Sequence, residues 1–196
     1  MISVIVPTIA GREEWLERCH NSYYATTPDF EFIVMRDYPT CNQGWNAGLL
    51  EAKGDLIHLT ADDIEACPGW WKAGLRWIKR DYFPAPWILN SDGTTQSCGD
   101  SEEEQETGSR TELTRVPFFS REQMDRAGIN PIIPCHYFGD SYVSHRGRLV
   151  GIETVVVREM KFIHSFATVG RLDDRLYEDL KVFRKAQRRD GVLNPP

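Results

Sequence analysis

Apolar residues in the first ninety positions alternate between two rhythms. Ile2-Ser-Val-Ile-Val6 is a continuous β-branched run ended by Pro7-Thr8, as expected of a strand covered on both faces. From Glu13 to about Ala25, Trp15, Leu16, Cys19, Tyr23 and Tyr24 recur at helical spacing. Phe30 to Met35 reads as a second strand and Asn42 to about Ala52 as a second helix, which Gly54 breaks. Leu56, Ile57 and Leu59 make a third short strand, and Trp71, Leu75 and Ile78 lie on one face of a helix from Trp70 to Lys79. Strand, helix, strand, helix, strand with short links predicts right-handed crossovers and a mostly parallel sheet flanked by helices.

The second half is patterned less clearly. Trp87 to Asn90, Val116 to Phe119 and Val155 to Phe162 read as strands, Arg121 to Ala127 as a helix, and Asp173 to Arg189 as an amphipathic terminal helix. Between them, Ser91 to Glu112 is rich in Ser, Thr, Gly and acids, which predicts a surface loop. The expected organisation is a single α/β domain of two abutting halves. Residues 1–90 would form the first half, 91–112 the acidic loop, 113–170 the second half and 171–196 a terminal helix and tail.

In such a sheet the strand ends at Thr8, Asp37 and Asp62 share one edge, where ligands of open α/β folds gather. Asp62 and Asp63 are neighbouring carboxylates that repel unless something positive lies between them. A divalent cation carrying diphosphate oxygens meets that need.

Charge and composition narrow the partners. The 196 residues carry 23 Lys and Arg against 29 Asp and Glu, a net charge of -6, which argues against a general polyanion binder. The basic run Lys181 to Arg189 is most simply a solvated helix face. Five cysteines with no C-x-x-C pair fit reduced thiols rather than disulfides or structural zinc. No apolar run is long enough to span a bilayer and no basic leader precedes the first strand, so cytoplasmic residence, of a bacterial or viral type, is the expectation.

Taken in order, these segments resemble the inverting, nucleotide-sugar-dependent glycosyltransferases of the GT-A fold, family 2 in particular. Ile2 to Thr8 is similar to that family's opening strand, Phe30 to Asp37 to its second strand, Asn42 to Gly48 to its Asn-x-Gly-x-x-x-Gly-type segment, and Gly54 to Asp63 to its strand ending in Asp-x-Asp. Phe118 to Glu122 with Gly128, then Gly139-Asp140 and His164, follow in the family's order. The resemblance implies a Rossmann-like GT-A domain transferring a sugar, hexosyl or related, from a nucleotide-diphosphate sugar, a UDP-sugar foremost, to an acceptor hydroxyl on a glycan, a protein or a modified DNA base.

It also implies residue roles. Asp140 would be the general base, Asp62 and His164 ligands to Mn²⁺ (or Mg²⁺), and Pro7, Thr8, Arg12, Asp37, Asn46, Thr60, Ala61 and Asp62 the donor-binding set. Asp37 would meet the nucleobase, and Trp70, Trp71 and His136 could face the acceptor. Thr60 stands where the family's motif begins with aspartate, so it would offer the sugar only a hydroxyl. Two other readings stay open. A nucleotidyltransferase should carry a basic, glycine-rich loop after the first strand, and a non-catalytic sugar-nucleotide-binding module would show no turnover.

Overall fold

The computed structural model describes residues 1–96, 106–165 and 174–190. The centre of the expected acidic loop and the extreme tail lie outside them. The elements are β1 (Ile2–Thr8), α1 (Glu13–Thr26), β2 (Phe30–Arg36), α2 (Cys41–Glu51), β3 (Leu56–Leu59), β4 (Ile64–Ala66), α3 (Trp70–Ile78), β5 (Phe83–Asn90), β6 (Phe118–Ser120), α4 (Arg121–Ala127), α5 (Gly139–Leu149), β7 (Thr154–His164) and α6 (Asp174–Arg189).

The first sheet has the order β2-β1-β3-β6. β1 pairs in parallel with β2 from Ile2↔Phe30 to Thr8↔Arg36 and with β3 from Ile2↔Leu56 to Ile5↔Leu59, whereas β6 closes the edge antiparallel to β3. Because side chains alternate along a strand, β1 feeds two cores. Val4 and Val6 join Tyr23, Trp70, Phe118 and Phe162 on the α1 side, and Ile5 joins Trp45, Leu49, Ile57 and Leu59 on the α2 side. Both faces are covered, as the unbroken β-branched run requires. On the second face α2 lies so close that a Cβ at Gly48 would come within 2.3 Å of Ile5 Cγ2.

A second sheet, β4-β7-β5, abuts the first. β5 starts at Phe83, four residues before the expected strand, and runs through Pro84 and Pro86. Prolines are tolerated there because β5 is an edge strand, and a register shift falls at Pro86/Trp87. β4 pairs antiparallel with the end of β7, Ile64↔His164 to Ala66↔Phe162. Neither β4 nor α5 was expected from the sequence. Among the described residues no helix is long and apolar enough to cross a membrane.

Candidate functional site

The parallel strands end together. Asp37 N–H donates to Thr8 O and Thr60 N–H to Ile5 O, so the exits of β1, β2 and β3 are stitched side by side. A cleft of about 440 Å³ opens above them. It is lined by Pro7, Thr8, Ile9 and Arg12 from the first exit, Tyr38 to Cys41 from the second, and Ala61 to Asp63 from the third, with His136, Tyr137 and Arg175 opposite. An adjoining hollow of about 250 Å³ shares Cys41, Asp63, His136 and Tyr137 and adds Asn42, Trp45, Arg115, Gly139, Asp140 and His164.

The charge on the shared wall is organised by Arg12. Its Nε and one terminal nitrogen reach the two oxygens of Asp62 at 2.8 and 2.7 Å, and the same nitrogen reaches Asp63 Oδ2 at 2.8 Å. Thr8 Oγ1 donates to Asp62 Oδ2 at 2.6 Å. Asp62 is only 3% exposed. Its hydrogen bond and charge raise the pKa of the Arg12 guanidinium, against burial, which lowers it. Asp63 has a second partner, His164 Nε2 at 3.5 Å, while His164 Nδ1 meets Gln96 Oε1 at 3.1 Å. Burial opposes ionisation of Asp63, but the bonds and charges of His164 and Arg12 outweigh it and hold its pKa below the ordinary value.

This geometry corrects the expected metal pair. Asp62 turns both its oxygens to Arg12 and Thr8. The acid next to the imidazole is Asp63, which the adjacent carboxylates had marked together with Asp62 but to which the resemblance gave no role. Among the described residues no group of three or more His, Cys, Asp or Glu side chains is arranged to hold a metal ion.

Other expected contacts are also redirected. Asn46 spends its carboxamide on Ile132, donating to its carbonyl at 2.8 Å and accepting from its N–H at 2.7 Å, so it splices α2 to a loop rather than facing a ligand. Thr60 borders the hollow but is buried with its hydroxyl towards Tyr23, whose phenol donates to it at 3.3 Å. Trp70 is wholly buried with its indole N–H on Thr27 Oγ1, and Trp71 packs partly buried on the same core beneath Lys72. Neither tryptophan lines the cleft. Asp37, in a left-handed conformation at φ 58°, accepts from Ala10 N–H at 3.1 Å and clasps two strand exits, leaving Tyr38 to Cys41 to line the cavity. His136 does line both cavities.

Asp140 stands in the first turn of α5, in the hollow that also holds Asp63 and His164. Burial raises its pKa above the ordinary carboxylate value, opposed by the hydrogen bond it accepts from Ser141 N–H at 2.8 Å. Its position is set from α2. Asn42, wholly buried, donates through Nδ2 to Ile133 O at 3.1 Å and to Tyr137 O at 3.4 Å, fixing the loop that leads into α5. Arg175 has a comparable tether. Asp179, one turn further along α6, accepts from His136 N–H at 2.8 Å and Tyr137 N–H at 2.9 Å. Arg175 in the cleft and Arg115 in the hollow are lining cations that the sequence did not single out, and for Arg175 the reason is that nothing in a basic amphipathic helix says which end meets the cleft.

No protein-family model and no curated protein matches the sequence. The fold does match solved structures. S. aureus TarS 1-349 aligns with 97% of this chain and 64% of its own at TM-score 0.69 and 15% identity, and the same protein in complex with UDP with 92% and 63% at 0.65 and 14%. GalNAc-T7 with UDP, GalNAc and Mn²⁺ aligns with 94% of this chain and 48% of its own at 0.69 and 14%. The chain thus spans less than two thirds of each of these structures. With its parallel β2-β1-β3 exits and the second sheet against them, it has the fold of the GT-A glycosyltransferases.

Proposed function

We propose that this protein is a glycosyltransferase that moves a sugar from a UDP-sugar to an acceptor hydroxyl with inversion at the anomeric carbon. The observation that carries the reading is the junction of two cavities: a cleft over three parallel strand ends, walled by Arg12 and Arg175, opening into a hollow that holds Asp140. The TarS complex with UDP and the GalNAc-T7 structure with UDP and GalNAc support a donor of this class.

In this reading the diphosphate lies in the cleft, where two guanidinium groups offset charge developing on the leaving oxygen. The acceptor enters the adjoining hollow. Asp140 takes the hydroxyl proton as that oxygen attacks from the side opposite the leaving group, and its raised pKa makes it a stronger proton acceptor than an exposed aspartate. The residues do not fit the expected ion on Asp62 and His164, since the seat between the two acids is filled by Arg12, and no step here passes through a metal.

The test is a thermal-shift panel of UDP-, GDP- and dTDP-sugars, with donor hydrolysis read in parallel. A ligand at a hundredfold excess over its Kd stabilises the folded state by about 2.7 kcal/mol, and the UDP-sugars are expected to give that shift. Absence of a shift with every nucleotide sugar overturns the reading.

A further inference from the structure

Adjacent carboxylates at a strand exit need a positive partner, and in this chain that partner is covalently part of the protein. Arg12 is placed for the task by its backbone. It caps α1, accepts a hydrogen bond from Leu16 N–H at 3.0 Å and follows Gly11, whose φ of 85° turns the chain out of the first strand exit. Its side chain is 24% exposed, and its planar fork spans both oxygens of Asp62 while reaching Asp63. Thr8 adds a fourth hydrogen bond to the same acid pair.

The groups a divalent ion would need have been reassigned. Thr60 brings no carboxylate and faces Tyr23 in the core. Asp62 has both oxygens engaged. Asp63 and His164 remain as one carboxylate and one imidazole, too few to hold a hard cation that takes about six ligands unless donor and water supply the rest. Arginine is also the side chain suited to diphosphate, because its fork matches paired phosphate oxygens.

We propose that Arg12 is the resident cation of this acid pair in place of a divalent ion, and that the cleft binds a nucleoside diphosphate without metal. Binding is then an exchange of partners, in which phosphate oxygens share the guanidinium with Asp62 and Asp63. The proposal rests on the donor reading for its second half only; the first half concerns the acids and Arg12 alone.

Calorimetric titration separates the two halves. MnCl₂ alone is titrated into the wild type, Arg12→Ala and Arg12→Gln, each checked for folding by circular dichroism, the Gln variant serving if Ala unfolds. The wild type is expected to show no saturable Mn²⁺ binding at millimolar concentration, and the variants to gain it at least tenfold more tightly. UDP is then titrated into the wild type in EDTA and in Mn²⁺, with equal affinity within about twofold expected, and into the variants, with at least a tenfold loss in EDTA that Mn²⁺ partly restores. Mn²⁺ binding by the wild type as tight as by the variants overturns the first half. UDP binding that requires Mn²⁺ overturns the second while leaving the donor reading intact, and UDP binding in neither buffer overturns that reading and the second half together.

Discussion

Asn42 Oδ1 and the Cα of Gly139 are packed so closely that a Cβ at Gly139 would lie 2.1 Å from that oxygen and 2.7 Å from the Trp45 ring. The oxygen is buried and, among the described residues, has no hydrogen-bond partner. Gly139 is where α5 begins, and Asp140 is the next residue. The contact between α2 and α5 therefore sets where the candidate base stands. Substituting Gly139→Ala forces backbone movement, since Trp45 and Asn42 are both locked by other bonds. The expected outcome is a loss of about 1–3 kcal/mol in urea unfolding together with a fall in kcat larger than any change in donor KM.

Asp140→Asn keeps shape and removes the proton acceptor. Transfer is expected to fall by roughly 10² to 10⁴-fold with UDP affinity unchanged, read by product formation and calorimetry. The wild-type rate should also fall on the acid side, as pH drops through the Asp140 pKa. Because burial raises that pKa, the loss begins at a higher pH than for an exposed aspartate.

His58 gives the fold a pH dependence unrelated to catalysis. It is wholly buried among Trp70, Phe118 and Phe162, bonded to Tyr23 Oη at 2.8 Å, and burial lowers its pKa to about 3. Its ordinary value is about 6.5, so between about pH 6.5 and 3 the unfolded chain binds a proton that the native state refuses. Stability is complete above that window and falls as pH drops through it, by about 2 kcal/mol at pH 5. Chemical denaturation at pH 7 and pH 5 should show this difference, and His58→Gln should remove most of it.

Asp179 is 8% exposed and holds two backbone N–H groups of the 136–137 loop. Asp179→Ala leaves both donors without their acceptor, at a cost of about 2–3 kcal/mol. Hydrogen exchange should quicken at the His136 and Tyr137 amides, and UDP affinity should weaken as the end of α6 that bears Arg175 loosens.

The first half of the chain announced itself through hydrophobic rhythm. β1, β2, β3, α1, α2 and α3 lie where periodicity places them, and the convergence of Thr8, Asp37 and Asp62 follows from parallel strands. The direction of Thr60 was also latent in the pattern, because it shares strand parity with His58, which faces the aromatic core, whereas Ile57 and Leu59 face α2. α5 was not legible. Its buried positions include Ser141, Ser144, His145 and Gly147, so polar and small side chains do the packing and no apolar stripe results. His145 is held there by Asp190 at 3.0 Å, a pairing across 45 positions. β4 is three residues long and is made by its partner. The exchange of Asp62 for Asp63 beside His164 was beyond reach for a different reason: adjacent residues leave the strand in different directions, and only the closed sheet decides which one meets the imidazole.

That closure is the pairing of Ile64 with His164 and of His164 with Asn90 at the far end of β7. Ring closures of this span carry the largest entropic penalty and so tend to come late in folding. The cleft wall that joins residues 63 and 164 is therefore expected to close after β1 to β3 have paired through their shorter crossovers, which pulsed hydrogen exchange on the β7 amides would check. A chain ending before β7 would lose one wall of the cleft and, with Val155, Val157, Met160 and Phe162, a large share of the core on the α1 side, so the cleft and that core stand or fall together.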